Sequence, residues 1–344
     1  MIPAFSEIVA AHRANYPQMQ PQDYCKLAHQ SAFGPEHLAA DQGSWQEYLI
    51  SEWQGAKAAK EPEPIGNGLC RFHLSPTDNI PATARLLEKL AVKTAVEYRG
   101  SGGCMEENLA VLQALNIPGM GELLSQYRSE GCPALHHSHQ YRTAYAPHYR
   151  VIGHVYGALF PLLLDLQSRE KQRTILAIDG RCGSGKTGIA GLIAGLFDCN
   201  VIHTDDYYLP FAQRRENWEQ LPGGNIDFSR LQAELLDPAQ QGKGLACRPF
   251  DCQTGEIRQG TRLPAKKLTI VEGSYSQHPC LREYYDLAIF LTCSDEVQAQ
   301  RLSAREGNYY PAFRARWIPM EERYNQATEP RKNSKYVFNT NDLY

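Results

Sequence analysis

At 344 residues, with 42% hydrophobic and 21% charged side chains and a formal net charge of -3 at pH 7, the chain has a globular composition and room for two domains. The slight acidity argues against a protein that grips nucleic acid through a basic face. No apolar run reaches membrane-spanning length, the longest, around 155–166, being that of a buried helix, so neither nucleic acid nor a membrane is expected as a partner. The first residues lack a basic segment followed by an apolar core, and the ten cysteines follow no regular spacing. That pattern fits free thiols in a reducing cytoplasm.

Residues 1–168 read as a mainly α-helical domain. Helices are expected over 5–15, 21–31, 44–59, 82–98, 105–115 and 119–129. In the fourth, Ala84, Leu87, Leu90, Ala91 and Ala95 recur near a 3.6-residue period, which gives one face to a core. Breakers fall at 61–66, 100–103 and 131–133, and only 68–74 suggests a strand. Eight of the eleven histidines lie up to His148, three of them at His136, His137 and His139. Cys70 and His73 with that cluster could be drawn as a metal site, but no metal-ligand spacing is present, so hydrogen-bonded or solvated histidines are expected. Glu36 and His37 read as part of a structural turn. An amphipathic helix is expected over 149–167, and the charged run 168–173 marks the boundary to a second domain, 169–344.

From Arg173 strands alternate with helices: strands over 174–179, 200–203, 268–272 and 287–291, and a helix over 187–197. Such alternation argues for an α/β fold, a parallel sheet flanked by helices, with ligands at the carboxyl ends of the strands. The first strand runs into Gly180-x-x-Gly183-Ser184-Gly185-Lys186-Thr187, which satisfies the glycine-rich phosphate-loop pattern. Glycines there let backbone N–H groups converge on phosphate, and the following helix points its positive end at the same anion. Lys186 is expected to reach the β- and γ-phosphates and Thr187 to ligate Mg²⁺. The second strand ends in Asp205-Asp206, where one carboxylate can orient an acceptor alcohol and take its proton. The third ends in Glu272-Gly273, an acidic side chain suited to holding Mg²⁺ beside a glycine that lets the chain turn closely. Asp286 precedes its strand and so belongs to the opposite end of the sheet.

These stretches, IDGRCGSGKT, HTDDYY, RPFD at 248–251, IVEG at 270–273, YYDLAIFL and the arginine-bearing 296–307, resemble the uridine kinase and phosphoribulokinase family of P-loop kinases, over residues 174 to about 330. Nicotinamide riboside and bacterial pantothenate kinases are relatives of that family. The resemblance implies a P-loop kinase fold with ATP and Mg²⁺ as cofactors and a small-molecule hydroxyl substrate: a nucleoside-like compound, a vitamin or a sugar alcohol. It implies Asp205 as base toward the acceptor and Glu272 at the metal. Arg301 and Arg305 would lie in a lid helix, one turn apart on one face. Gly180, Gly183, Ser184, Gly185, Lys186 and Thr187 are then the nucleotide contacts. Asp206, Tyr207, Arg248, Phe250 and Asp251 are the substrate-side candidates, with 221–228 as a possible wall.

Three departures stand out. Glycine at 255 occupies the place of a base-contacting histidine, phenylalanine at 250 replaces a tyrosine, and Gly188 replaces a second hydroxyl residue. The first two argue against uracil recognition. The first half resembles an N-terminal extension of bacterial uridine-kinase-like proteins. The main alternative is an ATP-binding regulatory switch whose helical half contacts a protein; a GTPase is not expected, because no N-K-x-D segment is present. A third reading makes the helical half an enzyme in its own right.

Overall fold

The structure, a computed structural model, describes residues 4–35, 42–53, 60–341 and 343. Glu36, His37 and the last residues of the helix expected over 44–59 lie outside them. The chain divides into two compact units, Met1–Gln167 and Ser168–Asn341. All ten cysteines are free thiols. No helix among the described residues is long and apolar enough to cross a membrane.

In the first unit, α1 (Phe5–Asn15), α2 (Pro21–Phe33) and α3 (Gln42–Trp53) precede a hairpin of β1 (Glu63–Gly66) and β2 (Leu69–His73). Then come α4 (Ile80–Glu97), α5 (Gly102–Ala114), α6 (Met120–Ser129), α7 (His139–Tyr145), β3 (Tyr149–Gly153) and α8 (His154–Ser168). Asn79 caps α4 by accepting the Ala82 N–H at 3.1 Å, satisfying one of the donors a helix start leaves unpaired. Ala84, Leu87, Leu90 and Ala91 of α4 are buried, as the periodicity requires, while Ala95 is half-buried. Leu27, Leu109, Leu112 and Leu124 join Tyr24 and Tyr127 in the main core, each buried leucine contributing about 2 kcal/mol.

The unit holds more strand than the sequence suggests. β1, β2 and β3 form an antiparallel sheet in that order. Pro64 and Gly66 read as breakers, yet β1 is an edge strand with a register irregularity between them, where a residue lacking an N–H is tolerated. Tyr149–Gly153 was expected to begin a helix; instead it pairs with β2, Val151 opposite Arg71, and the helix starts only at His154.

The second unit is built on five parallel strands: β4 (Thr174–Gly180), β5 (Cys199–His203), β10 (Leu268–Glu272), β11 (Leu287–Thr292) and β12 (Tyr336–Asn339). Between β5 and β10 lie the short helices α10 (Phe228–Leu231) and α11 (Asp237–Gln240). Two hairpins lie there too, β6 (Leu245–Cys247) with β9 (Thr261–Leu263), and β7 (Phe250–Asp251) with β8 (Glu256–Ile257). Helix α9 (Lys186–Ala194) follows β4, and α12 (Asp295–Glu306) and α13 (Tyr310–Thr328) join β11 to β12. The spatial order is β12-β11-β4-β10-β5. All residues of β4 and β10 are buried, as expected for central strands covered on both faces. The chain leaves β4 toward one side and later returns to its other side, so the crevice at the carboxyl end of β4 is the switch point where ligands gather in such sheets.

Candidate functional site

The glycine-rich loop starts where β4 runs beside β11. Gly180 lies opposite Leu291, and a Cβ there would come within 2.2 Å of the Leu291 carbonyl oxygen, at φ +150. Gly183 and Gly185 also have positive φ, so the three glycines are demanded by backbone shape. Buried Asp179 anchors the loop base: its carboxylate accepts the N–H groups of Gly180 at 2.7 Å and Gln277 at 2.9 Å, and the Tyr324 hydroxyl at 2.6 Å. Burial outweighs these bonds and holds its pKa above the usual aspartate range. Lys186 Nζ donates to the Gly180 and Arg181 carbonyls at 2.7 and 3.0 Å and lies 3.3 Å from Ser274 Oγ. The Ser184 hydroxyl is buried without a hydrogen-bond partner. One loop amide, that of Cys182, already holds an anionic oxygen: Glu321 Oε2 of α13, at 2.8 Å. This loop amide is thus directed at a carboxyl oxygen, an acceptor of the same kind as a phosphate oxygen.

The acidic strand ends converge beside the loop. Thr187 Oγ1 donates to Glu272 Oε1 at 2.9 Å. Neighbouring oxygens in an octahedral Mg²⁺ shell are about 2.9 Å apart, so this pair fits the ion expected from the sequence. Because β10 and β5 are parallel with Glu272 opposite His203, the two side chains meet, and His203 Nδ1 bonds Glu272 Oε1. That bond, opposed by burial, raises the His203 pKa. Nothing in the linear sequence pairs these residues; only strand register does. Gly273 is equally constrained, since a Cβ would lie 1.9 Å from Thr204 Oγ1. Asp286 accepts the Ile175 N–H at 2.8 Å, at the amino end of β4 and away from the loop.

Asp205 sits in a 3₁₀ turn, Thr204–Tyr207, directly after β5. Asp205 is exposed, yet protein atoms crowd its carboxylate. This crowding raises its pKa, against the pull of Lys186 and with help from Glu272 and Glu321. Asp206 is half-buried and likewise raised, first by burial. Tyr208 Oη donates to Asp205 Oδ1 at 3.1 Å, and its ring faces a cavity of about 510 Å³ lined also by Phe211, Trp218, Phe250 and Trp317. Tyr208 and Trp317 lie near parallel at 28°, with centroids 6.4 Å apart, and Phe250 meets Tyr208 edge-on. Arg214 stacks over Phe211 and Trp218, and Arg316 over Trp218 and Trp317, giving an aromatic wall with cationic faces.

The other expected residues divide. Phe250 lines the cavity, whereas Tyr207 is buried in the unit's core with its ring beneath Arg230. The aromatic at the cavity is its neighbour Tyr208, because the turn rotates successive side chains to different sides. Arg248 is exposed and paired with Glu234. Asp251 accepts from Arg258 at 2.8 Å and from the Gln253 N–H at 2.8 Å, which lowers its pKa, the Gln253 N–H first and Arg258 next. Arg301 donates to the Gly183 carbonyl at 3.2 Å and to Thr340. Arg305 is solvent-exposed, bonded to Glu306 and over Phe313, so the helix brings one of the two arginines to the loop. In the first unit, His137 bonds Asp23 and Tyr149, and no group of three His, Cys, Asp or Glu residues among the described residues could hold a metal ion.

A five-stranded parallel sheet whose sequential strands stand in the order 5-4-1-3-2, with a glycine-rich loop between the first strand and its helix, is the P-loop kinase fold. Solved structures of this fold align with about half of the chain. One, a possible uridine kinase from Bacillus stearothermophilus, shares 21% identity at a TM-score of 0.43 over 53% of this chain and 97% of that one. A putative fructose transport system kinase from Silicibacter shares 18% at 0.43 over 52% and 98%. A shikimate kinase from Bacteroides thetaiotaomicron shares 16% at 0.28 over 49% and 88%. No protein-family model and no curated protein matches.

Proposed function

We propose that the second domain is a kinase that transfers the γ-phosphoryl group of ATP to a hydroxyl of a small molecule. The observation that carries this reading is the position of Asp205. Its carboxylate is coupled electrostatically to Lys186 and Glu272 on one side and hydrogen-bonded through Tyr208 to the aromatic cavity on the other. In this reading the amides of Gly180–Thr187 cradle the phosphates, and Lys186 leaves the loop carbonyls to meet them. Thr187 and Glu272 would hold Mg²⁺, which when bound would supply charge neutralisation during transfer. Asp205 orients the acceptor alcohol and takes its proton, a task favoured by a carboxylate whose pKa is raised. Arg301 steadies the loop, and Arg305 is the mobile lid cation. The acceptor lies against Tyr208, Phe250 and Trp317, with Asp206 at its polar edge. Arg248, Asp251 and Tyr207 then shape the wall through Glu234, Arg258 and the core.

The test is ATP-dependent phosphorylation of pooled nucleosides, vitamins and sugar alcohols by the full-length protein, read by mass shift. Product with any acceptor, lost in Asp205→Asn, supports the reading; ATP binding with no transfer to any of them opposes it. The second reading, a nucleotide-gated switch, draws on Glu321, whose carboxylate competes for a loop amide. Stoichiometric nucleotide binding without turnover, with a co-purifying protein, would favour it.

A further inference from the structure

The first unit buries a cation with no carboxylate among the described residues in direct contact with it. Arg71, on β2, is 0% exposed. Its Nε donates to Gln30 Oε1 at 3.0 Å, and its Cζ lies 4.7 Å over the Tyr149 ring. Neither Nη atom has a hydrogen-bond partner. Among the described residues no carboxylate comes within ion-pair distance of the guanidinium, although Glu63 acts on it electrostatically. Four N–H donors of a permanent charge are thus withheld from water and from protein, a costly arrangement that native interiors rarely leave unfilled.

The groups around it are those of a binding site. Glu63 stands 3.8 Å from His12 and 3.6 Å from His73. Despite burial, those histidines and Arg71 hold its pKa down to about 2. Tyr16 and Tyr141 pack with ring centroids 5.3 Å apart, and His137 stacks on Tyr141 at 4.1 Å. Asp23, fully buried, accepts from His137 Nδ1 at 2.9 Å, from the Ser138 N–H at 2.9 Å and from the Ser138 hydroxyl at 2.7 Å. A proton fixed on Nδ1 leaves Nε2 as the acceptor for the Tyr149 hydroxyl, 2.6 Å away. Tyr149 and Glu63 are only partly covered, although Glu63 Oε2 itself is buried without a hydrogen-bond partner.

We propose that the first unit is a receptor for a small organic acid, whose carboxylate seats on the two Nη groups of Arg71 beside the Asp23–His137–Tyr149 relay. A guanidinium presents parallel N–H bonds that match a carboxylate in two places. Asp23 is saturated by its donors, so Arg71 and Glu63 set the local charge. With Glu63 ionised, Arg71 and Glu63 offset one another, so a carboxylate adds one negative charge to the site where a phosphate dianion adds two. The tyrosine rings supply the apolar surround for the rest of the molecule. This unit therefore has a ligand of its own, and its recognition does not depend on the kinase reading of the second domain.

The experiment titrates full-length protein with acetate, succinate, benzoate and inorganic phosphate, followed by calorimetry and by the thermal midpoint. At least one carboxylate is expected to bind with a millimolar or tighter constant and to raise the midpoint. Arg71→Lys, which keeps the charge but loses the fork, should weaken that binding at least ~10-fold, and Tyr149→Phe, which removes one hydroxyl, should weaken it less while folding normally. Four results overturn the proposal: no carboxylate binding; equal binding in Arg71→Lys and the parent; Arg71-dependent binding of phosphate alone; or a crystal structure from saturating acid with only water on the Arg71 Nη atoms.

Discussion

Glu321→Gln should tighten nucleotide binding. The native carboxylate is 6% exposed, accepts the Cys182 amide at 2.8 Å and bonds the Ser274 hydroxyl, which itself lies 3.3 Å from Lys186 Nζ. On the kinase reading the loop amides serve phosphate oxygens, and Glu321 then competes with the anion for the Cys182 N–H. A hydrogen bond to a charged group contributes about 1.5–3 kcal/mol, roughly twice that of a neutral one. Glutamine keeps an acceptor of the same shape, so the substitution removes about half of the competing interaction, about 0.8–1.5 kcal/mol, or roughly four- to twelvefold in affinity. Loss of the negative charge acts in the same direction. Calorimetric titration of ADP and a non-hydrolysable ATP analogue, with and without Mg²⁺, measures the change, with the thermal midpoint as a check on folding. Unchanged or weaker binding in a well-folded Glu321→Gln protein would refute the competition and make Glu321 a supporter of the bound state.

Lys186→Ala should abolish transfer and greatly weaken ATP binding, while Asp205→Asn abolishes transfer alone; equal loss of binding in both variants would break this division of roles. Because the pKa of Asp205 is raised, its base form disappears on acidification sooner than an ordinary aspartate's. The acid limb of the kcat/KM profile should therefore lie above the usual carboxylate range, and an ordinary position would count against Asp205 as base. Gly180→Ala forces a Cβ to 2.2 Å from a carbonyl oxygen and should cost more than about 3 kcal/mol in urea unfolding; a small effect would mean the loop can relax. His12 and His137 have their pKa lowered by burial from 6.5 to about 4. The unfolded chain then takes up protons that the folded unit refuses, so stability falls as pH drops from 6.5 toward 4, by up to about 1.4 kcal/mol per pH unit for each histidine. His12→Gln should flatten that fall, and a parent protein whose urea midpoint is constant over this window contradicts it.

What the sequence makes legible is local. The phosphate loop is contiguous, and its glycines are dictated by φ angles and by strand contact, so Gly180, Lys186 and Thr187 can be read directly. The strands β4, β10 and β11 are apolar runs of the right length. What stays hidden depends on partners distant along the chain. His203 meets Glu272 through parallel register, and Glu321 reaches the loop from a helix that carries a proline, Pro319, in its interior, a segment with no clear apolar stripe. Tyr207 and Tyr208 are indistinguishable in a string, but a 3₁₀ turn puts one in the core and the other at the cavity. The string likewise does not show that Arg248 pairs with Glu234 or Asp251 with Arg258. In the first unit, β1 was masked by its proline and glycine, and β3 by the apolar helix that follows it without a break.

The contact between Gly273 and Thr204 has a mechanical meaning. With 1.9 Å between the threonine hydroxyl and any added methyl, and with that hydroxyl bonded to the Ser274 carbonyl at 3.0 Å, the tips of β10 and β5 are bolted together. Glu272 and the turn bearing Asp205 travel as one piece. On the kinase reading, repurposing such a scaffold for a new acceptor would thus start at the aromatic rim around Trp317, where side chains can be exchanged, and leave the acidic hinge-free corner untouched.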